Sequence, residues 1–153
     1  MSRKVCKRRH YPLLDPVKMA IEGAGITQSD KLDKLRLVEL SAIESFAKGR
    51  ATPHDWRTVA DILNLAETMA KCGVGPEALE ACAAVDAALS AAHARHESTG
   101  HLGMTGPQLT ALRELAEWHD LQRRSIARSE YERFIVLTGN RIRSSHPDVK
   151  VFI

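Results

Sequence analysis

No stretch of this chain approaches 18 consecutive apolar residues, so no transmembrane helix is expected. The start is basic but has no apolar core behind it, and no secretory signal is expected there. Three cysteines, Cys6, Cys72 and Cys82, make an odd set without a paired framework, which suits reduced thiols and a cytoplasmic setting. Cys72 and Cys82 are too far apart for a CxxC pair, and no HExxH run occurs. Gly73-Val74-Gly75 is too short for either nucleotide fingerprint and follows no strand. No GxSxG elbow surrounds Ser125 or Ser129. These absences remove the common metal, nucleotide and acyl-transfer signatures. The expectation is a non-enzymatic chain with no catalytic residues, no cofactor and no membrane association.

Strand signals are scarce as well. Val149, Val151 and Ile153 alternate, but three positions are too few for a sheet, and no internal repeat holds up. What is present is helical periodicity. The 153 residues suffice for one domain with a sizeable core, and 44% hydrophobic with 27% charged residues is ordinary for a globular chain. The centre of the reading is Thr52 to Ala94. Thr52 suits an N-cap, Pro53 the first helical position, and Asp55 the positive end of the helix dipole. Trp56, Val59, Leu63, Ala66 and Ala70 make one face; Ile62, Leu65 and Met69 make a second. A helix apolar on two faces belongs in the middle of a domain. After the Gly73–Gly75 break, Pro76 opens a helix with nine alanines between Ala78 and Ala94, which lets two backbones approach closely. An antiparallel pair is predicted, with other helices on its sides.

Around this pair the chain divides into a basic N-terminal arm at 1–14, a single helical domain at 15–143 and a C-terminal tail at 144–153. Asp15-Pro16 opens a short helix that Gly23-Ala24-Gly25 closes. Ser29 is placed to cap the next helix, whose stripe is Leu32, Leu35, Val38, Ala42 and Phe46, ending at Gly49. After Ser98 come Gly100, Gly103 and Gly106, then a helix from Pro107 with Leu109, Leu112, Leu115, Ala116, Trp118 and His119 on its inner side. Ser129 with Glu132 matches a capping box for a last helix through Arg143, with Tyr131, Phe134, Ile135 and Ile142 apolar. The fold class is therefore all-α, a bundle of five or six helices with short connections around the central antiparallel pair.

Charge is segregated. Residues 1–20 carry six Lys/Arg against Asp15, residues 121–153 seven against three acids, and the middle nine against fifteen acids. The partner-binding candidates are the arm residues Arg3, Lys4, Lys7, Arg8, Arg9 and His10, and the cluster Arg123, Arg124 and Arg128. Three further constellations offer chemistry. His93, His96 and His101 could gather round a metal, although solvated histidines explain them as well. His119-Asp120 resembles a base and its acid, but neighbours on a helix point about 100° apart. Thr58 to Thr68 carries a faint helix-turn-helix pattern, yet Ala66 stands where a capping Ser or Thr belongs, and an unbroken helix is the better reading.

Four segments carry a resemblance. They are KRRHYP in the arm, the Trp56 to Glu67 segment ending LNLAE, the AVDAALSAAHARH run from Ala84, and SEYERFI from Ser129. Together they resemble small helical proteins of unassigned function carried by proteobacterial prophages and plasmids. The resemblance implies a mobile-element accessory protein that binds a host or competitor component. It carries over no catalytic residue. The expected function is a protein-binding, inhibitory role; the alternative is a nucleic-acid binder working through its basic ends.

Overall fold

The computed structural model describes residues 29–144. The basic arm, the short helix expected after Asp15 and the C-terminal tail beyond Ser144 lie outside the described residues. Within that range the chain is all-helical: α1 (Ser29–Ala47), α2 (Pro53–Lys71), α3 (Ala78–Thr99), α4 (Gly106–Arg124) and α5 (Arg128–Arg143). The predicted all-α bundle is what the described residues form. No helix among them is long and apolar enough to cross a membrane.

Helix α2 starts as its sequence dictates. The Thr52 hydroxyl accepts from the Asp55 amide, and the Asp55 carboxylate accepts from the Thr52 amide at 2.8 Å, closing a capping box in front of Pro53. The helix then runs unbroken through Asn64, which removes the helix-turn-helix reading. Its two apolar faces bury Trp56, Val59, Ala60, Ile62, Leu63, Ala66, Met69 and Ala70, and it packs against all four other helices. Its central position follows from that all-round apolarity.

The alanine face of α3 does what small side chains permit. Ala78, Ala81, Cys82, Val85, Ala88, Leu89 and Ala92 are buried at 3–4-residue steps, mostly against α2 and α4. The Trp56 indole at the start of α2 donates to the Leu89 carbonyl late in α3 at 3.1 Å, while Glu67 lies near Cys82. Early-to-late and late-to-early neighbours make the pair antiparallel, as predicted. At Gly75 the turn between them has φ of +60°, and a Cβ there would stand 3.0 Å from the Gln122 side chain, so glycine is needed on both counts.

Two expectations are corrected. First, α5 has no capping box: it begins at Arg128 behind Ala127, one residue before Ser129, and Glu132 accepts from Arg128 Nε at 2.9 Å instead. The box in this half of the chain belongs to α4, where Thr105 and Gln108 close one ahead of Pro107. Second, α1 is rolled away from its apolar stripe. Leu32, Ala42 and Phe46 are buried as expected, but Leu35 and Val38 are 44% and 58% exposed. The inward positions are Leu32, Glu39, Ile43 and Phe46, with Arg36 half-buried between them. In α5, Ile135 likewise faces out while Tyr131, Phe134, Thr138 and Arg141 face in.

The main core joins α1 to α4, and a smaller cluster of Met69, Val74 and Phe134 seats α5. Leu63 is 1% exposed in the main core. Truncating it leaves a void that close packing cannot fill, so Leu63→Ala should lower stability by about 2–5 kcal/mol. Urea denaturation of the two proteins measures this, and a loss below about 1 kcal/mol would place Leu63 off the core.

Candidate functional site: the charged seam between α1 and α4

The seam follows from the end of α4. Its last turns read His119-Asp120-Leu121-Gln122-Arg123-Arg124, and four of these six polar-rich positions are buried: His119, Asp120, Gln122 and Arg123. Each buried polar group needs a partner. Arg123, only 2% exposed, donates from Nη2 to Glu39 Oε1 of α1 at 2.5 Å and lies 3.5 Å from Asp120 Oδ1. Asp120 Oδ2 accepts from Arg36 Nη1 at 2.7 Å and from Arg124 Nε at 2.9 Å. Arg36 also pairs with Glu117, and Arg124 with Asp33 at 2.7 Å. Gln122 reaches the other way: its Nε2 donates to the Ala66 carbonyl of α2 at 3.1 Å and to the Val74 carbonyl of the turn at 2.9 Å.

That double donation fixes a proton. With Nε2 of Gln122 committed to two carbonyls, its Oε1 is the acceptor for His119 Nδ1, 3.1 Å away. His119 therefore carries a proton on Nδ1, and its Nε2 faces Glu39 Oε2 at 3.9 Å. Burial, with the Arg123 charge behind it, pushes the His119 pKa down to about 3. Burial also raises the Glu39 carboxyl, against the pull of Arg123. Asp120 goes the opposite way: burial would raise it, but hydrogen bonds from Arg124 and Arg36 outweigh that and hold it below the ordinary carboxylate value. Tyr131 of α5 closes the seam, its ring edge-on to His119 with centroids 6.3 Å apart and its hydroxyl raised mainly by burial.

The predicted site residues separate. Arg123 is not at the surface; it is inside the bundle, charged and matched by Glu39. Arg124 is partly exposed but engaged by Asp120 and Asp33, and Arg128 is exposed beside Glu132. They form no shared basic patch, because Arg123 is buried and all three are paired with carboxylates: Arg123 with Glu39, Arg124 with Asp33 and Asp120, and Arg128 with Glu132. Arg3, Lys4, Lys7, Arg8, Arg9 and His10 lie outside the described residues. His119 and Asp120 do point apart, to Gln122 and to the arginines. The His93 ring lies tilted against Trp56, with ring centroids 6.1 Å apart, and His101 is exposed. No group of three or more His, Cys, Asp or Glu side chains is placed to hold a metal among the described residues. The buried Cys82 thiol is pushed up to about 12 by burial and by Glu67, so it is not a nucleophile near neutral pH.

Sequence reasoning missed Arg36, Glu39 and Tyr131. A signal existed for the first two: Arg36, Glu39 and Ile43 sit at 3–4-residue steps with Leu32, on a face that is apolar only if the charges are discounted. It also missed an outer feature. Leu35 and Val38 share a solvent-facing side of α1 flanked by Lys31 and Lys34, while Leu37, 66% exposed, points to solvent about 160° round the helix from Leu35.

Two measurements probe the seam. Breaking the Glu39–Arg123 pair strands a buried charge, so Glu39→Leu or Arg123→Met alone should destabilise by about 3–5 kcal/mol, while the double variant should recover most of the loss. Additive losses in a denaturation cycle would refute the pairing. His119 supplies a pH test. Its folded pKa lies below the ordinary 6.5, so the unfolded chain takes up a proton the folded one refuses. Stability should fall as pH drops from about 6.5 towards 3, by up to about 1.4 kcal/mol per unit from this group. Glu39, raised in the fold, acts in the opposite sense at the acid end. His119→Gln should flatten the stability curve between about pH 6.5 and 5 relative to wild type, and because Glu39 is present in both proteins the difference between the curves isolates His119; parallel curves would show that His119 titrates normally.

No family model matches the chain, nor does any curated protein or solved structure.

Proposed function

We propose that this chain is a non-enzymatic interaction protein of a mobile genetic element, working in the cytoplasm by binding and inhibiting a host or competitor protein. The observation that supports this reading is the first half of α1, which is turned inside out. Its ionic side chains, Asp33, Arg36 and Glu39, are spent on α4, while Leu35, Leu37 and Val38 face solvent. Leu35 and Val38 are adjacent on one helix face, and contiguous exposed apolar surface is what partner proteins cover. Leu35 and Val38 are three apart, the spacing by which a helix fills an apolar groove in a partner. Lys31 and Lys34 beside them favour a groove with an acidic rim.

The alternative is a nucleic-acid binder using its basic ends; Arg123, which is buried, and Arg124, which is paired, lend it little support. It makes a different prediction about salt. Phosphate contacts weaken steeply as salt rises, whereas an apolar groove contact does not.

The test begins with capture from a host lysate, with and without nuclease, followed by purification of the captured protein. Binding of that protein should fall about tenfold or more in Leu35→Ser/Val38→Ser, with the melting temperature nearly unchanged because both side chains are already exposed. Deleting residues 2–10 should leave most of the binding. Binding unaffected by the double variant would refute the α1 surface. Tight duplex binding, steep in salt and lost with the arm, would replace the protein-partner reading altogether.

A further inference from the structure

We infer that the first half of α1, from Ser29 to about Leu40, is a strap that opens on its own and is held shut by charge, so that ionic strength sets how often it opens. This goes beyond the binding role proposed above and does not depend on it, because it concerns the free protein.

The inference rests on how unevenly α1 is attached. From Ala42 onward it is held by apolar burial: Ala42, Ile43 and Phe46 are all in the main core. Before that point, Leu32 is the one fully buried aliphatic side chain, and Leu40 is half-buried. The remaining attachments are ionic. Asp33 meets Arg124, Arg36 meets Glu117 and Asp120, and Glu39 meets Arg123. Two of the outer pairs, Arg36–Glu117 and Asp33–Arg124, join partly exposed groups, where attraction is weak and screened by salt, and in the third the Arg36 end is partly exposed while Asp120 is buried. The inner pair is buried, but its attraction is set against the cost of stripping water from both ions. Opening rehydrates Glu39 and Arg123 together, so no charge is left stranded. It is therefore unlike removing one partner by mutation. A half-helix tied, among the described residues, by four ion pairs, Leu32 and the half-buried Leu40 opens before a bundle held by a continuous core.

Opening also exchanges one surface for another. With the strap closed, the molecule displays Leu35, Leu37 and Val38 and conceals Arg123. With it open, those apolar side chains leave the bundle, and Arg123, Arg124 and His119 are uncovered on α4.

Ordinary fraying is the competing explanation, and it differs in reach and in salt response. Fraying fades within the first turn, reflects lost backbone bonds and hardly senses salt. The strap opens as a unit through Leu40. Hydrogen exchange on the full-length protein separates them. Amides of Leu35 to Leu40 should exchange about tenfold or more faster than those of Val85 to Ala92 in α3. Raising sodium chloride from about 0.05 M to about 1 M should speed the former about threefold or more, relative to the α3 amides. Arg36→Gln at low salt should reproduce the high-salt pattern while leaving α3 protection unchanged. If that variant fails to fold, Asp33→Asn, at the exposed rim, should give the same shift in smaller measure. Protection at Leu35 to Leu40 equal to that at Ile43 to Ala47, or indifferent to salt and to both variants, overturns the inference.

Discussion

The bundle is organised by a demand at the end of α4. Four consecutive-turn polar side chains, His119, Asp120, Gln122 and Arg123, lie inside the protein, and each must find a partner there. The neighbours are set accordingly. Arg123 and Asp120 call for a carboxylate and a guanidinium from α1, and α1 is rolled until Glu39 and Arg36 supply them. Gln122 calls for two acceptors, and the end of α2 with its following turn supplies the carbonyls of Ala66 and Val74. His119 takes what remains, the free oxygen of Gln122 and the ring edge of Tyr131. A set of buried groups that can be satisfied in one arrangement selects that arrangement, although it adds little to net stability.

Stability comes from elsewhere, from the apolar core that joins α1 to α4, the contact between α2 and α3 among its parts. Alanine at Ala78, Ala81, Ala88 and Ala92 lets the backbones approach, and the buried Trp56 indole donates to the Leu89 carbonyl. The two regions divide the work. The alanine seam provides burial without specifying rotation, since small side chains fit in several registers. The polar seam provides rotation without much burial. The exposure of Leu35 and Val38 is the cost of letting the second requirement prevail over the apolar periodicity of α1.

This division also explains what could be read from the chain alone. Helix order within the described residues follows from local signals: Thr52 and Asp55, the Gly73–Gly75 break, Gly100 and Pro107; two starts differ, α3 beginning at Ala78 rather than at Pro76 and α5 at Arg128. The central place of α2 follows from its two apolar faces. The roll of α1 does not follow from anything local. Glu39 and Arg36 look like solvent residues until α4 is beside them, because a buried ion pair is visible only when both members are placed. The same holds for Arg123 and Arg124, adjacent in sequence to Arg128 in character but separated from it by what packs against them. Ser129 and Glu132 show the reverse error, a correct motif displaced by a helix that starts one residue earlier, at Arg128.

The glycine at the α2–α3 turn ties evolution at two distant points of the chain. The space a side chain would need at Gly75 is taken by Gln122, and Gln122 is there because the turn offers it the Val74 carbonyl. Neither position can drift alone: a larger residue at 75 evicts the amide, and a shorter one at 122 leaves two carbonyls and an imidazole without their donor and acceptor. Variation among descendants of this sequence should accordingly be slow and paired at these two sites, and free on the outer alanines of α3, where Ala83, Ala84, Ala87 and Ala94 meet only solvent among the described residues.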